Sequence, residues 1–135
     1  MRLQLTRRGD YAVRAMIVLA DGAGRQLTGR ELASATGIPA AFLPQVMGDL
    51  VRAGLVRTRQ GRSGGYRLAR EPERISLLQI VEAAEGDSRR RTCILRGGPC
   101  GAGGSHCRVH SSFFAAQEAM LTTLAQRTLA DVNGA

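Results

Sequence analysis

The 135-residue chain contains no lysine and no tryptophan, and aromatic residues make up only 4% of it. Its longest apolar run, residues 15–20, is far short of the roughly 20 residues a membrane-spanning helix needs. The N-terminus reads MRLQLTRR and lacks the apolar core of a signal peptide. These absences argue against a membrane partner and predict a cytoplasmic protein. Three cysteines are an odd number, so a closed set of disulfides is excluded. There is no Cys-x-x-Cys pair, no Gly-rich nucleotide fingerprint after a strand and no Ser-His-Asp set. The expectation is therefore that the chain is not an enzyme, with a thiol oxidoreductase as the remote alternative.

What is present is enough for one domain. With 44% hydrophobic residues the chain can bury a core without disulfides. Its 19 basic residues are all arginine, and with 11 acids the net charge is +8. The excess is confined to one half: residues 1–70 hold 12 arginines and 4 acids, whereas residues 71–135 hold 7 of each. A GC-rich genome accounts for arginine in place of lysine, but not for acids that are scarce only in the first half. A basic half on a neutral half points to a polyanion-binding unit joined to something else.

The periodicity predicts a fold that is mainly α with a small β-hairpin wing. Thr6 caps a first helix to about Asp21, with Gly22 as its stop. Thr28 and Glu31 form a capping box for a helix over about 29–35, which Gly37 ends. A third helix starts near Ala40 or Ala41 and runs to about Ala53, with Phe42, Leu43, Val46, Met47 and Leu50 as its apolar stripe. Pro44 then falls in the first turn, where no intrahelical donor is lost. Two helices joined by a tight turn with Gly37 at its centre make a helix-turn-helix. Residues 55–59 and 66–68 alternate like strands around a Gly- and Arg-rich tip, which adds the wing. Ser76 caps a fourth helix to about Glu85. A long last helix runs from Ser111 to about Asp131, capped by Ser111 or Ser112, with Phe113, Phe114, Met120, Leu121, Leu124, Leu129 and Val132 along its apolar face. A helix of that length on so small a domain commonly packs on a partner subunit. The division is a DNA-binding region over 1–70 and a cysteine loop plus dimerisation helix over 71–135, in one continuous domain.

The predicted DNA-binding residues follow. The recognition surface is Pro39 to Gln45, where Gln45 can pair with adenine and Ala40, Ala41 and Phe42 can meet thymine methyls. Thr28, at the head of the preceding helix, adds a polar contact. On the wing, Arg57, Arg59 and Arg62 reach backbone or minor groove, Arg67 lies beside them, and Ser63, Gly64, Gly65 and Tyr66 complete the tip. The two wing glycines would let the backbone approach a phosphate chain.

All three cysteines, Cys93, Cys100 and Cys107, lie in the irregular stretch 87–109, which has five glycines between 97 and 104. Their spacing is C-x6-C-x6-C, and His110 follows as C-x2-H. The only other histidine, His106, is in the same loop. Thiolates in a flexible Gly-rich loop suit a soft metal centre, and Arg89, Arg90, Arg91 and Arg96 would offset their charge. Three readings stay open at this point: an iron–sulfur cluster with a non-cysteine fourth ligand, structural zinc (Zn) held by Cys3His, and redox-active thiols without metal.

Taken together, several segments resemble the Rrf2 family of winged-helix transcription regulators. They are LTRRGDYAVRAM (5–16), RELA (30–33), TGIP (36–39), FLPQV (42–46), GRSGGYRL (61–68) and the three-cysteine loop. The resemblance reaches to about Leu129. It implies a homodimer on a double-stranded DNA operator, built on the long last helix. It also implies a 2Fe–2S or 4Fe–4S cluster on Cys93, Cys100 and Cys107. In IscR-like members the fourth ligand is a histidine just after the third cysteine, which His110 matches. In NsrR-like members it is an acid near the N-terminus, given by the other subunit, and Asp10 falls there. The six-residue gaps here exceed the usual five, and the position after Leu43, acidic in IscR-like readers, is Pro44. Cluster-free members of the family imply an alternative in which the thiols act without iron.

Overall fold

A computed structural model describes residues 2–90, 92–95, 97–101, 103 and 105–133. The order of elements is α1 (Arg7–Asp21), α2 (Gly29–Thr36), α3 (Leu43–Arg52), β1 (Val56–Arg59), β2 (Gly65–Leu68), α4 (Leu77–Glu85), α5 (His110–Gln126) and α6 (Leu129–Asn133). A 3-10 turn at Pro72–Arg74 links the wing to α4. The architecture is a winged helix-turn-helix followed by a C-terminal helix.

The first half forms as its caps and apolar spacing dictate. The Thr6 hydroxyl accepts from Gly9 N at the head of α1, and Ala12, Ala15, Met16 and Leu19 are buried beneath it. The Thr28–Glu31 capping box is present, and Gly37 ends α2 with φ 74, a left-handed turn that glycine adopts without strain. Ile38, Leu43 and Val46 lock α2 to α3 in the core, with Met47 and Leu50 below them. Ser76 caps α4 with a second box to Gln79.

Three expectations need correction. First, α3 begins at Leu43 rather than at Ala40 or Ala41. Phe42 N and Leu43 N both donate to Pro39 O, at 2.9 and 3.2 Å, so residues 40–42 form a turn before the helix. Pro44 falls in the first turn, as expected. Phe42 is not part of the apolar stripe; it is 45% exposed. Second, α5 begins at His110, not at a serine cap. His110 N already bonds to Cys107 O at 3.1 Å, so the loop itself supplies the opening turn and no hydroxyl is needed. Third, the last helix is not continuous to Asp131. Leu77 N donates to Arg127 O and Leu129 N to Ile75 O, at 2.9 and 2.8 Å, which draws the chain out of helix into a short bridge. Thr128 then caps α6 through Asp131, and Leu129 is fully buried in the core instead of on the α5 face.

Two long-range clamps fix the ends. Glu85, the last residue of α4, accepts from Thr6 N and Thr6 Oγ1 at 2.7 and 2.8 Å. Its carboxylate occupies the space a Cβ at Gly9 would need. Asn133 at the end of α6 donates to Ile17 O and to Asp21 on α1.

Candidate DNA surface and thiol centre

The wing is an antiparallel pair with Val56 opposite Leu68, Arg57 opposite Arg67, Thr58 opposite Tyr66 and Arg59 opposite Gly65. Alternation then sorts the side chains. Val56, Thr58, Tyr66 and Leu68 share one face, from which Val56, Tyr66 and Leu68 pack on the core and Thr58 is exposed, while Arg57, Arg59 and Arg67 share the other and are exposed. Two like charges directly opposite are unfavourable by themselves. No ion pair holds any of these three, or Arg62, among the described residues. They concentrate positive charge on that face, the electrostatic character of a polyanion-binding surface.

Leu27 exchanges both backbone bonds with Tyr66, at 2.8 and 2.7 Å, and so forms a third edge to the hairpin. This changes the reading of the glycines. A Cβ at Gly65 would lie 2.4 Å from Leu27 O, and one at Gly64 would lie 2.4 Å from Arg59 O. Both are required by the close approach of the chain to itself. Tyr66 is half-buried against the core, while Ser63 is exposed at the tip and its carbonyl accepts from Gln26.

Thr28, Pro39, Ala40, Ala41, Phe42 and Gln45 are all exposed. They form a surface beside the wing, but most of it is the turn that enters α3. Behind it, α3 is anchored by Asp49, a buried acid that the sequence reading missed. Asp49 accepts from Arg8 on α1 and from Arg52, the latter at 2.6 Å. An acid within the apolar stripe of an amphipathic helix was the available signal.

The sulfur atoms of Cys93, Cys100 and Cys107 lie within 4.8 Å of one another. Cys93 is buried and the other two are half-buried. They line a cavity of about 570 Å3 with His110, Phe113, Phe114 and Met120 of α5. Cys107 N donates to Cys100 Sγ at 3.3 Å. Desolvation, then hydrogen bonding to Cys100 and Cys93, raises the Cys107 thiol above the usual cysteine range. A bound cation would reverse that, because thiol ligands deprotonate on coordination. Three convergent sulfurs in a partly apolar cavity fit a thiophilic metal or cluster.

Other predicted members of the centre divide. Arg90 lines the cavity, but Arg89 is held by Glu118 of α5. Arg91 and Arg96 lie outside the described residues. Asp10 is not brought to the thiols of its own chain; it forms a bidentate pair with Arg14, both contacts at 2.9 Å. His106, not singled out as a ligand from the sequence, joins Cys100 and His110 in a second group of donor atoms within 4.8 Å.

Among the described residues no helix is long and apolar enough to cross a membrane. The Rrf2 family model, described as an iron-dependent transcriptional regulator, matches residues 5–134. The chain is 31% identical to the HTH-type transcriptional regulator NsrR of Shouchella clausii, over 96% of this chain and 88% of that one. Among solved structures it is similar to the global cysteine regulator CymR of B. subtilis, with 25% identity, 98% of each chain covered and a TM-score of 0.81. It is also similar to T. potens IscR, with 29% identity, 96% of this chain and 85% of that one covered and a TM-score of 0.74. The matches to several other curated relatives span between 53% and 68% of their length. With nearly every residue matched by the family model and the wing, turn and thiol loop all in place, the chain belongs to the Rrf2 family of transcriptional regulators.

Proposed function

We propose that the chain works as a homodimer that binds a double-stranded DNA operator, and that an iron–sulfur cluster on Cys93, Cys100 and Cys107 switches this binding. The observation that carries the reading is the convergence of three sulfurs in one cavity, below the helix that would join two subunits and in the same chain as an unpaired arginine face. The family description as iron-dependent and the likeness to NsrR and IscR support it. His110 of the same chain or Asp10 of a second copy would complete the ligand set. A non-cysteine fourth ligand leaves one iron open to small oxidants or to loss, which suits a sensor. The loop leaves α4 and enters α5, so reordering it shifts the two subunits relative to each other. Dimeric readers need half-sites about 34 Å apart, so a small shift changes operator fit.

Anaerobic purification with visible spectroscopy and iron and sulfide analysis tests this. Each of Cys93→Ala, Cys100→Ala and Cys107→Ala should abolish the chromophore, and only one of His110→Ala and Asp10→Ala should alter it strongly. If all three cysteine variants keep iron and sulfide at wild-type levels, the reading fails. A second reading is a single zinc ion. The three sulfurs lie within 4.8 Å of one another, a span that a tetrahedral ion with Zn–S bonds near about 2.3 Å could draw together. Colourless protein with one zinc per chain would select it.

A further inference from the structure

The loop contains two overlapping donor sets, not one. Cys93, Cys100 and Cys107 form the first; Cys100, His106 and His110 form the second, with one thiol and two imidazoles. The two histidines are spaced H-x3-H, a separation common in zinc ligand pairs. Their rings are stacked, with centroids 3.8 Å apart and planes within 8°. A slot exists for the outer ring: Gly101 has φ +87, and a Cβ there would lie 2.7 Å from the His106 ring. The inner ring is backed by Phe114, which stacks on His110 at 5.9 Å. The Cys107 amide donates to Cys100 Sγ, which fixes the position of the atom both sets share.

We propose that Cys100, His106 and His110 form a second metal site, which takes a divalent borderline cation such as Zn2+ when the three-thiol set is not in use. The ligand set of one thiolate and two imidazoles suits zinc, with water in the fourth position. Parallel rings cannot both aim a nitrogen at one ion, so one ring must turn. His106 is the ring that turns, because it is exposed and the terminal torsion of histidine is broad, whereas Phe114 backs His110. Because Cys100 belongs to both sets, a chain holds either a three-thiol centre or the Cys–His–His cation, never both. The site does not rest on the cluster reading.

Full-length protein freed of iron and sulfide is titrated anaerobically with Co2+ as a coloured substitute for Zn2+. In a Cys93→Ser/Cys107→Ser background, one Co2+ per chain should bind with tetrahedral absorption and a thiolate charge-transfer band. Adding Cys100→Ser should remove that band, and adding His106→Ala should weaken binding about tenfold or more. Gly101→Ala, which leaves every ligand in place, should weaken it by crowding His106. Absence of Co2+ binding in the folded double variant, or unchanged affinity on His106→Ala, overturns the site. In the same Cys93→Ser/Cys107→Ser chain, Zn2+ should shift the NMR ring resonances of both histidines; movement of His110 alone also overturns it. The cluster reading has a separate outcome. His106→Ala should keep the visible chromophore of the iron- and sulfide-loaded protein, and a colourless wild-type protein would leave the cobalt result intact.

Discussion

Three arginines, Arg57, Arg59 and Arg67, share the exposed face of the wing, and among the described residues no ion pair holds them. Each that touches a phosphate displaces counterions, so Arg57→Ala should reduce the slope of log affinity against log salt by about 0.9. Fluorescence anisotropy on a native operator at several salt concentrations measures it. Loss of affinity with an unchanged slope would mean that Arg57 does not meet the backbone. Gln45 would play a different part, because it is the one amide side chain on the proposed recognition surface. Gln45→Ala should relax specificity at one or two base positions by roughly 1–3 kcal/mol each, read by competition between operator variants. Uniform loss on all sequences would assign Gln45 to positioning alone. The wing arginines and the three cysteines were legible because each cluster is local in sequence. Asp49 and His106 were not. The partner of the first, Arg8, is on another helix, and the second acquires its neighbours only when the glycine loop folds back on α5.

Helix ends were legible wherever a cap or a glycine writes them into the chain, as at Thr6, Thr28, Gly37, Ser76 and Gly86. They were misread at α3 and α5, where a local turn opens the helix without a side-chain cap, and at the α5–α6 break, where backbone pairing between distant segments decides. The break between α5 and α6 depends on bonds from residues 75–77, and apolar periodicity carries no trace of it. The wing has a similar hidden dependence on Leu27. Gly65→Ala would force a Cβ into the Leu27 carbonyl, so it should release the hairpin from that edge. The expected result is a loss of about 1–3 kcal/mol of stability, seen as a lower thermal midpoint by calorimetry, and weaker operator binding by anisotropy. The α6 cap adds a pH dependence. Hydrogen bonds from the Thr128 backbone and then its hydroxyl lower the Asp131 carboxyl below its ordinary value. A lowered folded-state value means stability present above the unfolded carboxylate range, near pH 4, and lost as pH falls through the folded one. Asp131→Asn should therefore show a smaller fall in thermal midpoint on acidification than the parent chain.

At the scale of the whole molecule, α5 buries only Leu121 among its 17 residues, although Phe113, Phe114, Met120 and Leu124 are spread along it. Together with Leu3, Leu5, Val13, Leu77 and Val81, the lower part of α5 lines a groove of about 770 Å3. In the proposed dimer a second copy would cover these residues and complete a core that one chain leaves open. Leu124→Glu should convert a dimer to monomers, at a cost of about 3–5 kcal/mol for an unpaired buried charge, with light scattering as the measure. The clamps at Glu85 and Arg127 have another consequence. The chain departs from the winged core at the end of α4 and rejoins it beside the start of the same helix, through the Arg127–Leu77 bond. The intervening thiol loop and α5 are thus a cassette whose entry and exit are both fastened to one helix. Insertions or deletions between the cysteines would lengthen or shorten this cassette while leaving the helix-turn-helix and the wing in register. The length of the thiol loop is thereby uncoupled from the folding of the winged core.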